Sequence, residues 1–245
     1  MTEGPLFPGL GLFDVHSHLL PGIDDGCASL ADSIQCAKRM ADAGYTESFC
    51  TPHFWSSLPN ITIELVPRSV ETLQKHLDGA GVPLKLHAGA EINLRAELME
   101  RDVRLLPTYG MRGKYALIDL WADRLPPFFE PAIRWMQGAG ITVILAHPER
   151  MRAVQEQPEL ADYFADLGVL LQGNLQCFSD RPGAATRETV ERFLAEDRYF
   201  LLGSDLHNPE TLDLRLRGLK RAVDLAGVER AKKLTIENPK KLLEG

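Results

Sequence analysis

Seven short apolar runs recur along the chain, at residues 11–16, 46–51, 84–90, 115–120, 141–147, 169–174 and 199–204, with stretches of helical character between them. Most of these runs are continuously apolar, as strands are when helices cover both faces of a sheet. The first intervening stretch, residues 30–40, places apolar side chains on one helical face and stops at Gly44, a residue suited to close a helix. Residues 66–77, 130–137, 160–167, 187–194 and 212–225 read the same way. A repeating β/α pattern of this kind predicts a parallel α/β fold, either an open doubly wound sheet or a closed barrel.

Strand count does not separate the two architectures, but the polar residues that end the runs do. At or just past successive run ends stand His16 and His18, His53, Glu91, Asp119, His147, Asn174, and then Asp205 and His207. In a parallel barrel every C-terminal strand end opens on one mouth, so these residues would converge, whereas an open sheet would string them along an edge. Convergent imidazole and carboxylate groups are what one to three divalent ions need, because such ligands suit Mn, Fe, Zn or Co and a carboxylate can bridge two ions. In His16-Ser17-His18 two imidazoles stand one residue apart where strand gives way to loop, so both can turn toward one ion. A lone strand-end histidine is more often a structural hydrogen-bonding group; the set, and no single member, points to metal. His76 on a helix face and His87 in mid-strand read as structural, and Asp14 is either a carboxylate behind the histidine pair or a surface group.

The bulk properties narrow the function classes. A chain of 245 residues suits one barrel domain, residues 1–245. No apolar run approaches the roughly 18–20 residues of a membrane span, so no direct membrane insertion is expected. Met1-Thr2-Glu3-Gly4-Pro5 carries neither a basic patch nor an apolar signal core, which predicts a cytoplasmic protein. A net charge of -7, with no basic cluster longer than the pairs Lys232-Lys233 and Lys240-Lys241, argues against nucleic acid as a partner. The four cysteines lack C-x-x-C spacing and read as buried reduced thiols. Cysteine-dependent phosphatase chemistry needs an arginine six positions after the cysteine, and Ser33, Asp42, Ser56 and Gly183 stand there instead. Phosphate-binding G-x-x-x-x-G-K-[S/T] loops and G-x-S-x-G elbows are absent as well.

Six blocks in order carry a resemblance: Phe13-Asp14-Val15-His16-Ser17-His18, Leu20-Pro21-Gly22-Ile23-Asp24-Asp25-Gly26, Thr51-Pro52-His53, Gly89-Ala90-Glu91, Ala146-His147-Pro148-Glu149-Arg150 and Ser204-Asp205-Leu206-His207-Asn208. Together they resemble the PHP superfamily and, more narrowly, the manganese-dependent bacterial protein tyrosine phosphatases of capsular and exopolysaccharide operons. The resemblance runs from about Phe13 to Pro239. It implies a distorted (β/α)7 barrel with three divalent metal ions, most often Mn, at the C-terminal mouth. It further implies that His16, His18, Glu91 and Asp205 surround one ion, that Glu91 bridges to a second held by Asp119 and His147, and that Asp25, His53 and His207 bind a third. Asp119 stands where the family often has Glu or His, and the choice of Asp25 over Asp24 rests on the family pattern.

Such ions would lower the pKa of bound water and neutralise phosphoryl oxygens, so no phosphoenzyme intermediate is needed. The candidate catalytic residues are Arg150, Asp25 and His207, the last two doubling as ligands. Arg150 resembles the family's phosphate clamp, since a planar guanidinium can hold two phosphate oxygens. The family tends to carry a further arginine soon after the D-x-H motif, but Asn208-Pro209-Glu210-Thr211-Leu212 has none, and Arg215 is the nearest substitute. Phe54, Trp55 and Trp121 follow strand ends and would either line the mouth or anchor local packing. The implied substrate is a phosphotyrosine protein, the tail of a bacterial tyrosine kinase that controls polysaccharide export. The competing readings are a small-molecule phosphoesterase such as histidinol phosphatase and a non-catalytic metal-stabilised binding module. Nothing in the sequence bears on oligomeric state.

Overall fold

The computed structural model describes residues 7, 9–179 and 183–244. Met1 to Pro5, read above for a leader signal, lie outside the described residues. In chain order the regular elements are β1 (Leu12–Ser17), α1 (Leu30–Asp42), β2 (Tyr45–Cys50), β3 (His53–Phe54), α2 (Leu65–Gly79), β4 (Lys85–Ala88), β5 (Glu91–Asn93), β6 (Tyr115–Asp119), α3 (Phe129–Gly138), β7 (Thr142–Ala146), α4 (Arg152–Glu156), α5 (Leu160–Asp166), β8 (Leu170–Asn174), α6 (Ala184–Ala195), β9 (Tyr199–Gly203) and α7 (Leu212–Ala226). Helix boundaries follow local chemistry. At α1, Asp32 N–H donates to Ser29 Oγ while the Asp32 carboxylate accepts from Ser29 N–H, a reciprocal cap that fixes the start of the helix. Its buried face is Cys36, Ala37 and Met40.

Every strand pairing is parallel, in the orders β1-β2-β4 and β3-β5-β6-β7-β8-β9. The two sheets are one. β2 and β3 are a single strand interrupted at Thr51-Pro52, where proline has no N–H for the ladder. β4 and β5 are likewise interrupted at Gly89-Ala90, and hydrogen bonds cross both breaks: Gly89 N–H donates to the Cys50 carbonyl and Glu91 N–H to the Pro52 carbonyl, each at 3.0 Å. Seven strands therefore run in chain order, matching the seven apolar runs.

Among the described residues β9 and β1 are not paired as strands; the chain just past β9 meets the end of β1 at the mouth through one isolated parallel bridge, Ser17 to Leu206. Asp205 N–H donates to the His16 carbonyl (2.7 Å) and His18 N–H to the Leu206 carbonyl (2.9 Å). Below them the Asp14 carboxylate accepts from Ser204 N–H (2.8 Å) and Ser204 Oγ (2.5 Å). Asp14 is thus a buried carboxylate behind the histidine pair, and the fold is the expected distorted α/β barrel.

Two apolar layers hold it together. The larger lies between strands and helices; the smaller joins Val15, Phe49, Leu117, Ile144, Ala146 and Leu201 from five strands and fills the barrel interior. The chain between β5 and β6 departs from the β/α repeat. Instead of a long helix it makes short 3-10 turns at Ala96–Glu100, Val103–Leu105 and Tyr109–Met111. They deliver Tyr109 into the interior, where its hydroxyl donates to the Val15 carbonyl (2.9 Å) and its ring meets Phe49 edge-on at 4.8 Å. No helix of the described residues is long and apolar enough to cross a membrane.

Candidate metal centre

The first candidate pair, His16 and His18, depends on an irregularity in β1. Asp14 pairs with Ser48 and Ser17 with Cys50, three steps against two, so β1 carries one extra residue there. A bulge of this kind re-aims side chains, and it lets the consecutive residues Val15 and His16 both face the barrel interior. His16 Nδ1 lies 2.8 Å from Gln172 Oε1, an acceptor-only oxygen, so the proton sits on Nδ1 and Nε2 presents a lone pair. Gly203 is required for this approach: a Cβ there would stand 2.8 Å from the His16 Cβ and 3.0 Å from Gln172 Nε2.

The adjacent carboxylates Asp24 and Asp25 divide two roles. Asp24 accepts from His18 Nδ1 (2.8 Å), His53 N–H (3.1 Å) and Gly26 N–H (3.0 Å), so it orients His18 from behind. Asp25 faces the cluster, with Oδ1 3.2 Å from His53 Nε2 and 3.4 Å from His207 Nε2, on a side chain 66% exposed. His207 Nδ1 donates to the Asp205 carbonyl (2.9 Å), which leaves its Nε2 for the same cluster.

Glu91 stands at the centre. Its Oε1 is 2.8 Å from His147 Nε2; its Oε2 is 2.8 Å from His53 Nδ1, 3.4 Å from His16 Nε2 and 3.5 Å from His18 Nε2. Asp205 Oδ1 lies 3.5 Å from His16 Nε2 and 3.4 Å from His18 Nε2. Three groups of ligand atoms, each within 4.8 Å of one another, result: His18, Asp25, His53 and His207; His16, His18 and Glu91; and Glu91, Asp119 and His147. All nine residues singled out in the sequence as ligands are thereby brought together, with Asp205 against the first two histidines.

The donor set fits divalent cations. His53 Nδ1, Glu91 Oε2 and Asp119 Oδ2 are buried and make no well-aligned hydrogen bond, although the first two stand 2.8 Å apart, and buried polar atoms left so are costly unless something else engages them. The His16 and His18 Nε2 atoms, 3.3 Å apart, face each other and two carboxylates. Backbone strain accompanies the cluster. His147 (φ 35°) and Asp205 (φ 51°) are left-handed, a conformation that L-residues other than glycine adopt at a cost and that collects at functional sites.

Electrostatics without an ion show the same tension. Burial, reinforced by the neighbouring Glu91 charge, pushes Asp119 up to about 6. For His16 burial opposes the charged ring, but Glu91 and Asp205 outweigh it and raise the group to about 8. Glu91 and Asp205 are buried too, yet the surrounding imidazoles hold both below the usual carboxylate range.

Arg150 ends the 3-10 turn Pro148–Arg150 that follows β7. Its Nη1 donates to Asp205 Oδ2 (3.0 Å), its guanidinium carbon lies 4.9 Å from the Trp121 ring centre, and its side chain is 35% exposed. The turn is anchored by buried Glu149, which accepts from Asn174 N–H (2.7 Å) and Tyr199 Oη–H (2.9 Å). Arg215 does not substitute at the rim. It is 4% exposed and donates to the carbonyls of Ser204, Thr211 and Asp205, bracing the strained Asp205 turn from α7. Trp55 packs against His53 with ring centres 4.0 Å apart and the planes tilted by 32°, so Trp55 and Trp121 both border the mouth. His87 pairs with Glu47 (2.5 Å) and His76 lies on α2, both outside the cluster as expected. The residues that sequence reasoning missed as supports are Asp24, Gln172 and Glu149. The Asp24-Asp25 doublet and the Glu149-Arg150 neighbours were signals for two of them, while Gln172 in mid-strand carried none.

A family model described as capsular polysaccharide synthesis, CpsB/CapC, matches residues 12–244. Tyrosine-protein phosphatase YwqE of Bacillus subtilis (strain 168) is 28% identical over 201 residues, covering 82% of this chain and 79% of the relative. Tyrosine-protein phosphatase CpsB of Streptococcus agalactiae serotype V is 24% identical over 244 residues, covering 95% and 98%. A solved structure from work on YwqE of Bacillus subtilis and CpsB of Streptococcus pneumoniae, described as unique metal-dependent tyrosine phosphatases, superposes with a TM-score of 0.86 at 28% identity over 94% of each chain.

Proposed function

We propose, from the premise that this chain belongs to the capsular polysaccharide synthesis CpsB/CapC family, that it is a metal-dependent tyrosine-protein phosphatase acting at the barrel mouth. The observation that carries this reading is the convergence of nine imidazole and carboxylate ligands, three with buried atoms that make no well-aligned hydrogen bond, beside a partly exposed arginine. In our reading His16, His18, Glu91 and Asp205 hold one ion, Glu91, Asp119 and His147 a second, and Asp25, His53 and His207 a third. Mn suits this mixed nitrogen and oxygen set, with Fe, Zn or Co as alternatives. Divalent ions there would supply Lewis-acid neutralisation of phosphoryl oxygens and a supply of activated water at neutral pH.

The chain's own residues do the rest. Arg150, held between Asp205 and Trp121, has further N–H donors in one plane and clamps two oxygens of the phosphoryl group. Glu149 keeps that turn in place through Asn174 and Tyr199. Asp25 and His207 are the assigned ligands most open to solvent, and in our reading they complete the catalytic set from the rim. A tyrosine phenol, with a pKa of about 10, leaves with little help from an acid. All four cysteines are buried and free, so none is placed to act as a nucleophile.

The substrate is a phosphotyrosine protein, the tyrosine-rich tail of a bacterial kinase governing capsule or exopolysaccharide export, and the enzyme works as one cytoplasmic domain. The test compares turnover of a phosphotyrosine peptide with that of histidinol phosphate in the presence of Mn. Preference for the peptide supports the reading; preference for histidinol phosphate replaces it with a small-molecule phosphoesterase, and metal binding without any hydrolysis replaces it with a binding module.

A further inference from the structure

Three depressions join across the mouth. The first, about 400 Å³, is lined by the ligands Asp119 and His147 together with Trp121 and Arg150. It shares Leu120, Trp121 and Ala122 with a second of about 490 Å³, which in turn shares Trp55, Asn93, Arg95 and Glu97 with a third of about 590 Å³. The three therefore adjoin in a row, a segmented trough from the rim arginine to the far wall formed by Phe54, Leu58, Ile63 and Leu105. None of the nine ligands lines the third depression, although it is the largest of the three and of a size that holds an organic side chain.

Its chemistry selects by shape and apolarity more than by charge. Arg95 and Arg101 on its walls are offset by Glu64 and Glu97. The Arg101 guanidinium carbon sits 5.8 Å from the Phe54 ring centre, an arrangement that leaves a flat cation and an aromatic face beside the cavity. Among the described residues the exposed large hydrophobics are Leu10, Leu105, Trp121, Leu225 and Val228, and two of them, Trp121 (58%) and Leu105 (56%), line this one trough. Apolar surface left open along a path that starts at the reacting centre marks a place where a ligand buries area.

We propose that the trough beyond Trp55 is a substrate subsite that takes a large apolar or aromatic side chain of the polypeptide flanking the phosphotyrosine. This rests on the phosphatase reading above and assigns the specificity of the same site. With the phosphate at Arg150, the substrate chain runs across Trp121 and Trp55, and a neighbouring side chain fills the cavity walled by Phe54, Leu58 and Leu105. A free phosphotyrosine occupies the first depression and leaves the third unused, so the subsite distinguishes peptides from one another and from the free amino acid. Ground-state binding of this kind acts mainly on KM.

The experiment uses the Mn-loaded protein and a set of phosphotyrosine peptides in which each position near the phosphotyrosine is in turn Phe, Ala or Asp, with free phosphotyrosine alongside. The expected result is one position at which Phe exceeds Ala by about tenfold to a hundredfold in kcat/KM, the worth of burying one such side chain. Leu105→Asp is expected to abolish that preference and Leu105→Phe to keep it; Leu105 is exposed enough for either change to be folded. Equal turnover of all peptides, or a preference that survives Leu105→Asp, overturns the subsite while leaving the phosphatase reading intact. Failure to hydrolyse free phosphotyrosine and every peptide overturns both.

Discussion

The barrel interior has two storeys that could hardly differ more in kind. Below, Val15, Phe49, Leu117, Ile144, Ala146 and Leu201 make an apolar plug; directly above, the same strands lead to His16, Asp119, His147 and Asp205. On β6 the change takes two residues, Leu117 to Asp119, and on β7 it takes one, Ala146 to His147. The lower storey is satisfied by its own packing, whereas the upper one leaves lone pairs unmatched. Stability and function are thus stacked along single strands, and each storey should be removable without the other.

The largest effect is expected from Glu91→Ala, which takes away the carboxylate that touches His16, His18, His53 and His147. Phosphatase activity should fall to background and metal content by elemental analysis should drop by at least one ion, while far-UV circular dichroism keeps the folded spectrum; retained activity would contradict the bridging role. Ile144→Ala probes the other storey. Opening a cavity in the plug should lower stability by about 2–5 kcal/mol in urea titrations. Metal stoichiometry of the folded variant should not change, and a depleted site would mean that the storeys are not separable.

Smaller effects test the supports between the storeys and the mouth. Asp24→Asn keeps the shape but weakens the carboxylate behind His18, so metal affinity should drop by about tenfold to a hundredfold when measured by competition with a chelating dye. An unchanged affinity would assign Asp24 a purely local structural role. The most gradual effect is one of pH on the chelated protein. His16 is raised from 6.5 to about 8 because Glu91 and Asp205 overcome its burial. A group whose folded pKa is raised gives stability that is complete below its unfolded pKa and is lost as pH climbs through the folded one. The His16 contribution to the metal-free protein, on the order of 2 kcal/mol, should therefore be lost as pH climbs from below 6.5 to above 8, and the metal-loaded protein should not show this loss, since ligation replaces that proton. Urea midpoints across this window, with and without chelator, measure it; a gain in the metal-free form would show that the pairing is misread.

The upper storey was the more legible of the two in the sequence, because polar residues at the ends of apolar runs are conspicuous and all converge once the strands are parallel. The seven runs also located the strands to within a residue or two at most ends, but they stop short of β3 and β5, which extend β2 and β4 toward the mouth. Hydrophobic pattern does not show that cross-strand hydrogen bonds continue past Pro52 and Gly89. The division of labour between Asp24 and Asp25 could not be read either, since neighbours of identical chemistry differ only in where the loop turns them. The left-handed backbone at His147 and Asp205 was equally silent, because both residue types normally sit elsewhere in φ/ψ space and only surrounding contacts, such as Arg215 on the Asp205 carbonyl, hold them there.

The seam between β9 and β1 also sets a timetable for folding. Its hydrogen bonds join Asp14 to Ser204 across a sequence separation of 190 residues, and contacts so distant form late because the loop that precedes them must first be closed. Asp205 and His207 arrive with that seam, whereas His16, His18 and His53 are set by the first two strands. A partly folded chain can offer the early histidines but lacks the late pair. Complete metal capture is then a clock for the final docking of β9, and a stopped-flow metal indicator would record when the ring shuts.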